Sequence, residues 1–439
     1  MISLTMAWKF KRRSIILGFY GVFCTCVSAQ ADPTSDARTA QRYLREVRIE
    51  KFSKFVLDFD IANGSGLAAV ALSDLRVRVW RLDSGQVVRE LLFPEPETDH
   101  RLKLDNDVEP ISLRFSSDGK TLAVGFTSVI HLYDVETWLE KMSLGVAGED
   151  KLRPDIMVTP PRPQLKQRTA EQAQAEKDKP LPTLNEATKA RSRLMEKGDG
   201  RTRILSFEFA RDGSSILAAY CRGDCYASAW TGRRWMFPTG KDPVRLWDLH
   251  SASVIWEQLY DPKGVMDRVV LSPDGKRFAA VNAQLGHCAV GVFDLNDGRP
   301  LWSQPLGPCA QPPSIEFLQD GRCFITNRIE EGNHKNTLWR EAAIYDTTTG
   351  QKITNLSDHE GVGEANVSPD GRWLASTTWG GSHFQIWDLQ ENKIVITQQV
   401  KDGKIHLRLD RILFSPDGYW LVVGSNISGN LAVYKFGPS

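Results

Sequence analysis

The amino-acid sequence predicts an all-β fold, on three observations. A tight-turn dipeptide recurs along the chain, a short apolar strand follows each copy, and a third strand then ends in an aromatic and a polar residue. The turns are Asp118-Gly119, Asp212-Gly213, Asp274-Gly275, Asp320-Gly321, Asp370-Gly371 and Asp417-Gly418, with a weaker copy at Asn63-Gly64-Ser65-Gly66. Asp bonds locally to the backbone and Gly accepts a positive φ, so each pair marks a hairpin. The third strands end at Trp80-Arg81, Tyr133-Asp134, Trp247-Asp248, Phe293-Asp294, Tyr345-Asp346, Trp387-Asp388 and Tyr434-Lys435. Six copies continue into a turn and a fourth strand, as in Asp297-Gly298-Arg299-Pro300-Leu301-Trp302. The later copies lie about 46 to 50 residues apart, a spacing that suits four-stranded propeller blades. The fold class predicted is therefore a seven-bladed β-propeller of four-stranded antiparallel blades.

The best-formed repeat runs from Ala365 to Ser376, with Ser368-Pro369-Asp370-Gly371 at its turn, and continues to Phe384-Gln385-Ile386-Trp387-Asp388-Leu389. This run, Ser-Pro-Asp-Gly followed by Trp-Asp-Leu, resembles the WD-repeat β-propeller family, here as an exported, bacterial-type member with degenerate repeats. The resemblance covers nearly all of residues 42–437 in seven copies. The Gly-His pair that precedes the first strand in that family is absent, and His359-Glu360-Gly361 is its nearest echo. The family's buried His–Asp–Trp networks are therefore not expected in most blades.

The N-terminus reads as a targeting segment. Lys9, Lys11, Arg12 and Arg13 precede an apolar run from Ser14 to Val27, and Ala29-Gln30-Ala31 is a small-x-small cleavage site. The expected layout is a signal peptide over 1–31 and a linker over 32–41. The propeller then follows over 42–437, in a protein exported to a periplasm or beyond the cell. The alternative is an uncleaved membrane anchor; no second apolar run approaches membrane-spanning length. Blades are expected at about 53–92, 110–144, 204–259, 264–305, 312–356, 361–400 and 405–437. The last copy stops after its third strand, so an alternating segment at 42–50 is expected to supply the fourth and close the ring.

The largest insertion, 145–203, contains Pro160-Pro161-Arg162-Pro163 and two polar, helix-favouring stretches too poor in apolar residues to build a core. It reads as a solvated, helical or disordered excursion; a recruiting arm is the alternative. In this architecture the Asp-Gly turns share one face, and they are uniformly tight. The long segments, among them 94–109, 145–203, 221–242, 327–339 and 378–383, all belong to the opposite face. Long loops on a rigid scaffold are where binding sits.

That face carries the candidate site residues. Trp230, Arg233, Arg234, Trp235 and Trp379 supply the aromatic and guanidinium groups that usually anchor protein interfaces; packing of Trp230 and Trp235 onto their own blade is the alternative. His287, His334 and His383 fall in equivalent loops of three consecutive blades, where neutral imidazoles could bind a transition metal. No short fixed spacing supports that metal reading, and exposed histidines without function are the simpler one. The sequence has seven cysteines; signal removal takes Cys24 and Cys26. Cys221, Cys225, Cys288 and Cys309 are disulfide candidates whose pairing is open, Cys221 to Cys225 reading as a short loop, and Cys323 reads as a buried small hydrophobe.

Charge is nearly balanced, with 55 basic and 54 acidic residues, which gives no support to nucleic acid as partner. No phosphate loop, nucleophile elbow, haem-attachment or calcium motif is present, and no cofactor is implied. The expected function is a non-catalytic scaffold that binds a protein or peptide through the long-loop face. The alternatives are a hydrolytic or metal-assisted enzyme at the axial mouth of that face, and a structural part of an envelope assembly.

Overall fold

The computed structural model describes residues 44–93, 107–108, 111–145, 202–228, 234–238, 243–260, 265–284, 287–307, 313–329, 339–356, 362–378, 381–402, 405–425 and 429–437. These residues are all-β, with no helix among them. The first repeat forms the sheet Val56–Ile61, Leu67–Leu72, Arg76–Arg81, Val87–Leu92, written from the inner strand outward. The second is Ile111–Phe115, Thr121–Phe126, Val129–Asp134, Glu140–Leu144, and the fourth is Val265–Leu271, Arg277–Gln284, His287–Asp294, Pro300–Gly307. The fifth is Ile315–Phe317, Cys323–Ile329, Trp339–Tyr345, Lys352–Asn355, and the sixth is Val362–Val367, Trp373–Thr378, His383–Asp388, Lys393–Gln399. The last is Arg411–Phe414, Trp420–Ser425, Asn430–Phe436, with Leu44–Lys51 outermost. All pairings are antiparallel.

Six four-stranded blades are thus present, rather than the seven expected. The third repeat departs from the pattern. Its path is Thr202–Phe209, Ser215–Ser228, Pro243–Asp248, Ser253–Leu259, but Arg234–Pro238 and Asp107–Val108 also pair with its second strand and make the sheet six-stranded. That strand runs 14 residues without a break. The expected short loop from Cys221 to Cys225 is instead continuous strand, because Thr202 and Arg203 pair with Arg222 and Cys221, and Arg234–Pro238 takes over the pairing from Gly223. Of the insertion expected to be helical or disordered, residues 146–201 lie outside the described residues.

The turns have a shared chemistry. Ser116 Oγ donates to Asp118 Oδ1 at 2.6 Å and accepts from the Thr121 amide at 3.0 Å, while Asp118 also accepts from the Lys120 amide at 3.0 Å. The same triangle recurs at Ser272/Asp274, Ser368/Asp370 and Ser415/Asp417. These bonds hold the Asp118 carboxyl below the usual carboxylate range, the Ser116 hydroxyl being the largest cause. Gly119 has φ 69°, and a Cβ there would lie 2.7 Å from the Asn63 carbonyl oxygen of the neighbouring turn. Both constraints demand glycine.

The core consists of apolar clusters, each lying between consecutive sheets. One joins Val77 and Leu91 to Leu122 and Tyr133, another joins Ile130 and Leu144 to Phe207 and Trp247, and a third joins Phe59 and Trp80 to Val422 and Val433. The last of these packs the final sheet against the first, so the ring is closed. The outer strand of one repeat also clasps the next. Trp256 Nε1 donates to the Leu295 carbonyl at 2.8 Å, and Trp302 Nε1 to the Thr347 carbonyl at 2.7 Å. A Cβ at Gly350 would lie 3.1 Å from the Trp302 ring, so glycine lets the indole seat.

The expected closing strand is in place. Leu44–Lys51 pairs with Asn430–Phe436, from Leu44 opposite Phe436 to Lys51 opposite Asn430. It also reaches the first repeat, since Arg48 Nη2 donates to the Asp83 carbonyl at 2.6 Å and Phe52 meets the Trp80 ring edge-on at 5.8 Å. Only Trp387 and Trp247, among the repeat tryptophans of third strands, have a described indole partner, Ser376 Oγ and Tyr220 OH; Trp80 Nε1 is buried without one among the described residues. A chain beginning at Phe55 loses the closing strand and the half-buried Leu44, Val47 and Ile49, so we expect a stability loss of at least about 3 kcal/mol. Urea unfolding checks this, and an unchanged midpoint would show that other residues close the ring.

Candidate functional site

The long-loop face is only partly within the described residues. Trp230, Arg233, Trp379, His334 and Cys309 lie outside them. Arg234 and Trp235 lie on the strand Arg234–Pro238, opposite Ala227 and Tyr226. Ala227 and Ser228 pair on the other side with Val108 and Asp107. A segment that precedes the second repeat is therefore knitted to a hairpin extending from the third. His287 opens the third strand of the fourth repeat, opposite Gln284, and half-buried His383 opens that of the sixth, opposite Gln399. Among the described residues, no three His, Cys, Asp or Glu side chains are grouped to hold a metal ion.

Cys221 and Cys288 each take part in a disulfide. Cys225 lies on the same strand as Cys221, and its side chain is outside the described ones. Cys323 is a buried free thiol that desolvation pushes up to about 12, which leaves it unreactive.

A second constellation lies at the centre of the ring. Five inner strands each present two side chains, two residues apart, to the inner strands of other repeats: Asp58/Asp60, Ser112/Arg114, Ser206/Glu208, Ser314/Glu316 and Glu364/Asn366. The other two contribute Arg268 and Arg411. Asp58 accepts from Arg114 Nη1 at 3.1 Å and is paired with Arg411, which joins the second, first and last repeats. Arg268 is paired with Glu364 and with Glu316, the latter at 2.5 Å, which joins the fourth, fifth and sixth. One cluster is a carboxylate between two guanidinium groups; the other is a guanidinium between two carboxylates.

The same side chains satisfy backbone amides. An inner strand has a sheet partner on one side only, so its other edge is a row of buried unpaired groups. Leu113 N donates to Asp58 at 3.0 Å, Phe115 N to Asp60 at 2.7 Å, Leu271 N to Glu208 at 2.7 Å and Phe414 N to Asn366 at 2.8 Å. Val269 N reaches Ser206 Oγ and Ala365 N reaches Ser314 Oγ. In each case a side chain of one repeat serves the backbone of the next.

Five carboxylates, Asp58, Asp60, Glu208, Glu316 and Glu364, thus face the guanidinium groups of Arg114, Arg268 and Arg411, an excess of two negative charges when all are ionised. Burial raises Asp60 and Glu208 above the usual range, with Arg114 opposing it in both. Burial also lowers Arg411, whereas at Arg268 the attraction of Glu364 and Glu316 outweighs burial and holds the proton more tightly. Sequence reasoning missed this cluster, although its signal was the charged residue at the same register of successive inner strands.

The four-stranded antiparallel blades and the closed ring define a β-propeller. Residues 350–388 match the family model described as WD domain, G-beta repeat. The chain thus carries a recognisable WD repeat over those residues, within a β-propeller, and is similar to WD-repeat proteins over part of its length. It is 23% identical over 188 residues to a guanine nucleotide-binding protein subunit beta of Oryza sativa subsp. indica, covering 42% of this chain and 44% of that one. It is 30% identical over 125 residues to the eukaryotic translation initiation factor 3 subunit I of Candida albicans, covering 26% and 33%. It is 29% identical over 114 residues to pre-mRNA-processing factor 19 of Schizosaccharomyces pombe, covering 25% and 22%. The chain spans less than half the length of these curated relatives. No helix among the described residues is long and apolar enough to cross a membrane.

Arg268→Leu strands two carboxylates in a buried place, and breaking such a pair costs about 3–5 kcal/mol. We expect that loss in the denaturation midpoint, with a smaller one for Glu364→Gln, which keeps the Arg268–Glu316 pair.

Proposed function

We propose that this chain is an exported propeller that binds a protein or peptide through its long-loop face. The observation that carries the reading is the sheet built beyond the third repeat, where Arg234–Pro238 and Asp107–Val108 flank the extended strand Ser215–Ser228. It projects from the end of the strands opposite the tight Asp-Gly turns and puts Arg234 and Trp235, residue types that anchor interfaces, on one strand. Rigid sheets beneath it would lower the entropy lost on binding. Two of the relatives are by name subunits, in keeping with a binding role.

We infer further that the six-stranded sheet takes the place of a third blade in a seven-membered ring. In support, its four-strand path has the order of the others, and apolar clusters pack it against the second repeat on one side and the fourth on the other. Export rests on the sequence of residues 1–31, and the disulfide-bonded Cys221 and Cys288 suit an oxidising compartment.

Affinity purification of the tagged full chain from the envelope or medium tests the reading. We expect a stoichiometric protein partner, lost by about tenfold or more for Arg234→Ala or Trp235→Ala. Tyr419→Ala, an exposed residue beside an Asp-Gly turn, should leave capture unchanged. Equal capture by all variants would refute the face; no stoichiometric protein would refute the scaffold. Mass spectrometry of the chain recovered from the periplasm or medium is expected to give a mature N-terminus at Asp32. Recovery only from the cytoplasm would refute export.

A further inference from the structure

We propose that Glu316, in the axial cluster it forms with Arg268 and Glu364, is a proton-binding site that latches the inner strands of the fourth, fifth and sixth repeats. The ligand is the proton itself. This inference does not depend on the partner-binding reading.

The geometry sets up a competition. Arg268 is the cation that Glu316 and Glu364 share through ion pairs, and its side chain is only 16% exposed. One guanidinium neutralises one carboxylate, so the second is left with little compensation in a poorly hydrated place. The surroundings of Glu316 add to this. The inner strand of the third repeat contributes Glu208, which repels it, and the second contributes Arg114, which attracts it weakly. On its own strand Ser314 Oγ is engaged by the Ala365 amide, and Cys323 on the next strand faces the apolar core between the fourth and fifth repeats. In the opposite cluster the balance of partners is reversed, Asp58 lying between Arg114 and Arg411.

Glu316 therefore has the weaker claim to the negative charge. Burial is the largest cause that pushes its carboxyl up to about 7, with Arg268 opposing and Glu208 and Glu364 reinforcing. Once protonated, it can still accept from Arg268 through its carbonyl oxygen, while Arg268 keeps a full ion pair with Glu364. No bond is made or broken beyond the O–H bond, and solvent supplies and receives the proton.

The sign follows from linkage. The folded value, about 7, lies above the ordinary 4.5, so at intermediate pH the folded chain holds a proton that the unfolded chain releases. The contribution is complete below the unfolded value and is lost as pH rises through the folded one. The latch is therefore tight in mildly acidic solution and loosened by the added negative charge above neutrality.

The test is calorimetric unfolding of the full chain at about pH 6 in two buffers of different ionisation enthalpy, which counts protons exchanged. We expect wild type to release about one proton more than Glu316→Gln, and the melting temperature of wild type to fall between about pH 5.5 and about pH 8.5 more steeply than that of the variant. Equal release from both chains would overturn the proposal. So would a difference that appears with Glu364→Gln and not with Glu316→Gln, which would place the proton elsewhere. Should Glu316→Gln fail to fold, infrared spectroscopy of wild type decides. A protonated-carboxyl carbonyl band present at about pH 5.5, gone at about pH 8.5 and kept when Asp60→Asn and Glu208→Gln are combined supports the site, and no band at the lower pH in that chain refutes it.

Discussion

The propeller depends on how it treats the free edge of each inner strand. A strand paired on one side leaves every second backbone amide facing its neighbour, and toward the ring centre there is too little water to serve them all. Here the preceding repeat supplies the acceptor. Asp58, Asp60, Ser206, Glu208, Ser314 and Asn366 each take an amide from the inner strand of the next repeat. Placing carboxylates there creates a second problem, buried negative charge, and Arg114, Arg268 and Arg411 answer it. The charges of the centre are thus a consequence of solving the backbone first.

The outer edges follow a different rule because they meet solvent. In the first, third, fourth, fifth and sixth repeats, the fourth strand carries a register shift opposite the aromatic that ends the third strand. A bulge there turns the strand and leaves a residue unpaired, such as Ile255, Leu301 or Ile353, which are exposed. The residue after it can turn toward the next repeat, as Trp256 and Trp302 do. Arg48 repeats the device on the closing strand, after a shift between Glu46 and Arg48. One local irregularity thereby connects one repeat to the next.

The turns and strands of the ring were legible because their signals are local. Ser, Asp and Gly within four residues make a hairpin wherever they stand, and Trp387-Asp388 closes a strand on its own chemistry. Two features were not legible, for different reasons. The stretch from Cys221 to Ser228 contains Arg222-Gly223-Asp224, which reads as a turn, yet it continues as strand because Arg234–Pro238 offers it a partner nearby. That partner is a tertiary fact. The axial charges were hidden by a more general ambiguity. Alternation of Leu57-Asp58-Phe59-Asp60 or Leu113-Arg114-Phe115 has the period of a strand with one wet face, and nothing in the pattern says that the polar face meets other repeats rather than solvent. Of the candidate site, residue type pointed to Arg234 and Trp235, but not to the sheet that displays them.

The closing strand has a consequence for the order of events in the cell. Glu46 meets Tyr434 across 388 positions of the chain. A ribosome delivers the first of these long before the second. Until the last repeat emerges, Leu44–Lys51 has no partner and the first sheet presents Phe59, Trp80 and Leu72 to whatever surrounds it. Contacts so far apart form late and make folding slow. The same joint that leaves the finished ring without a seam makes the nascent chain dependent on being kept from aggregation for the whole of its synthesis.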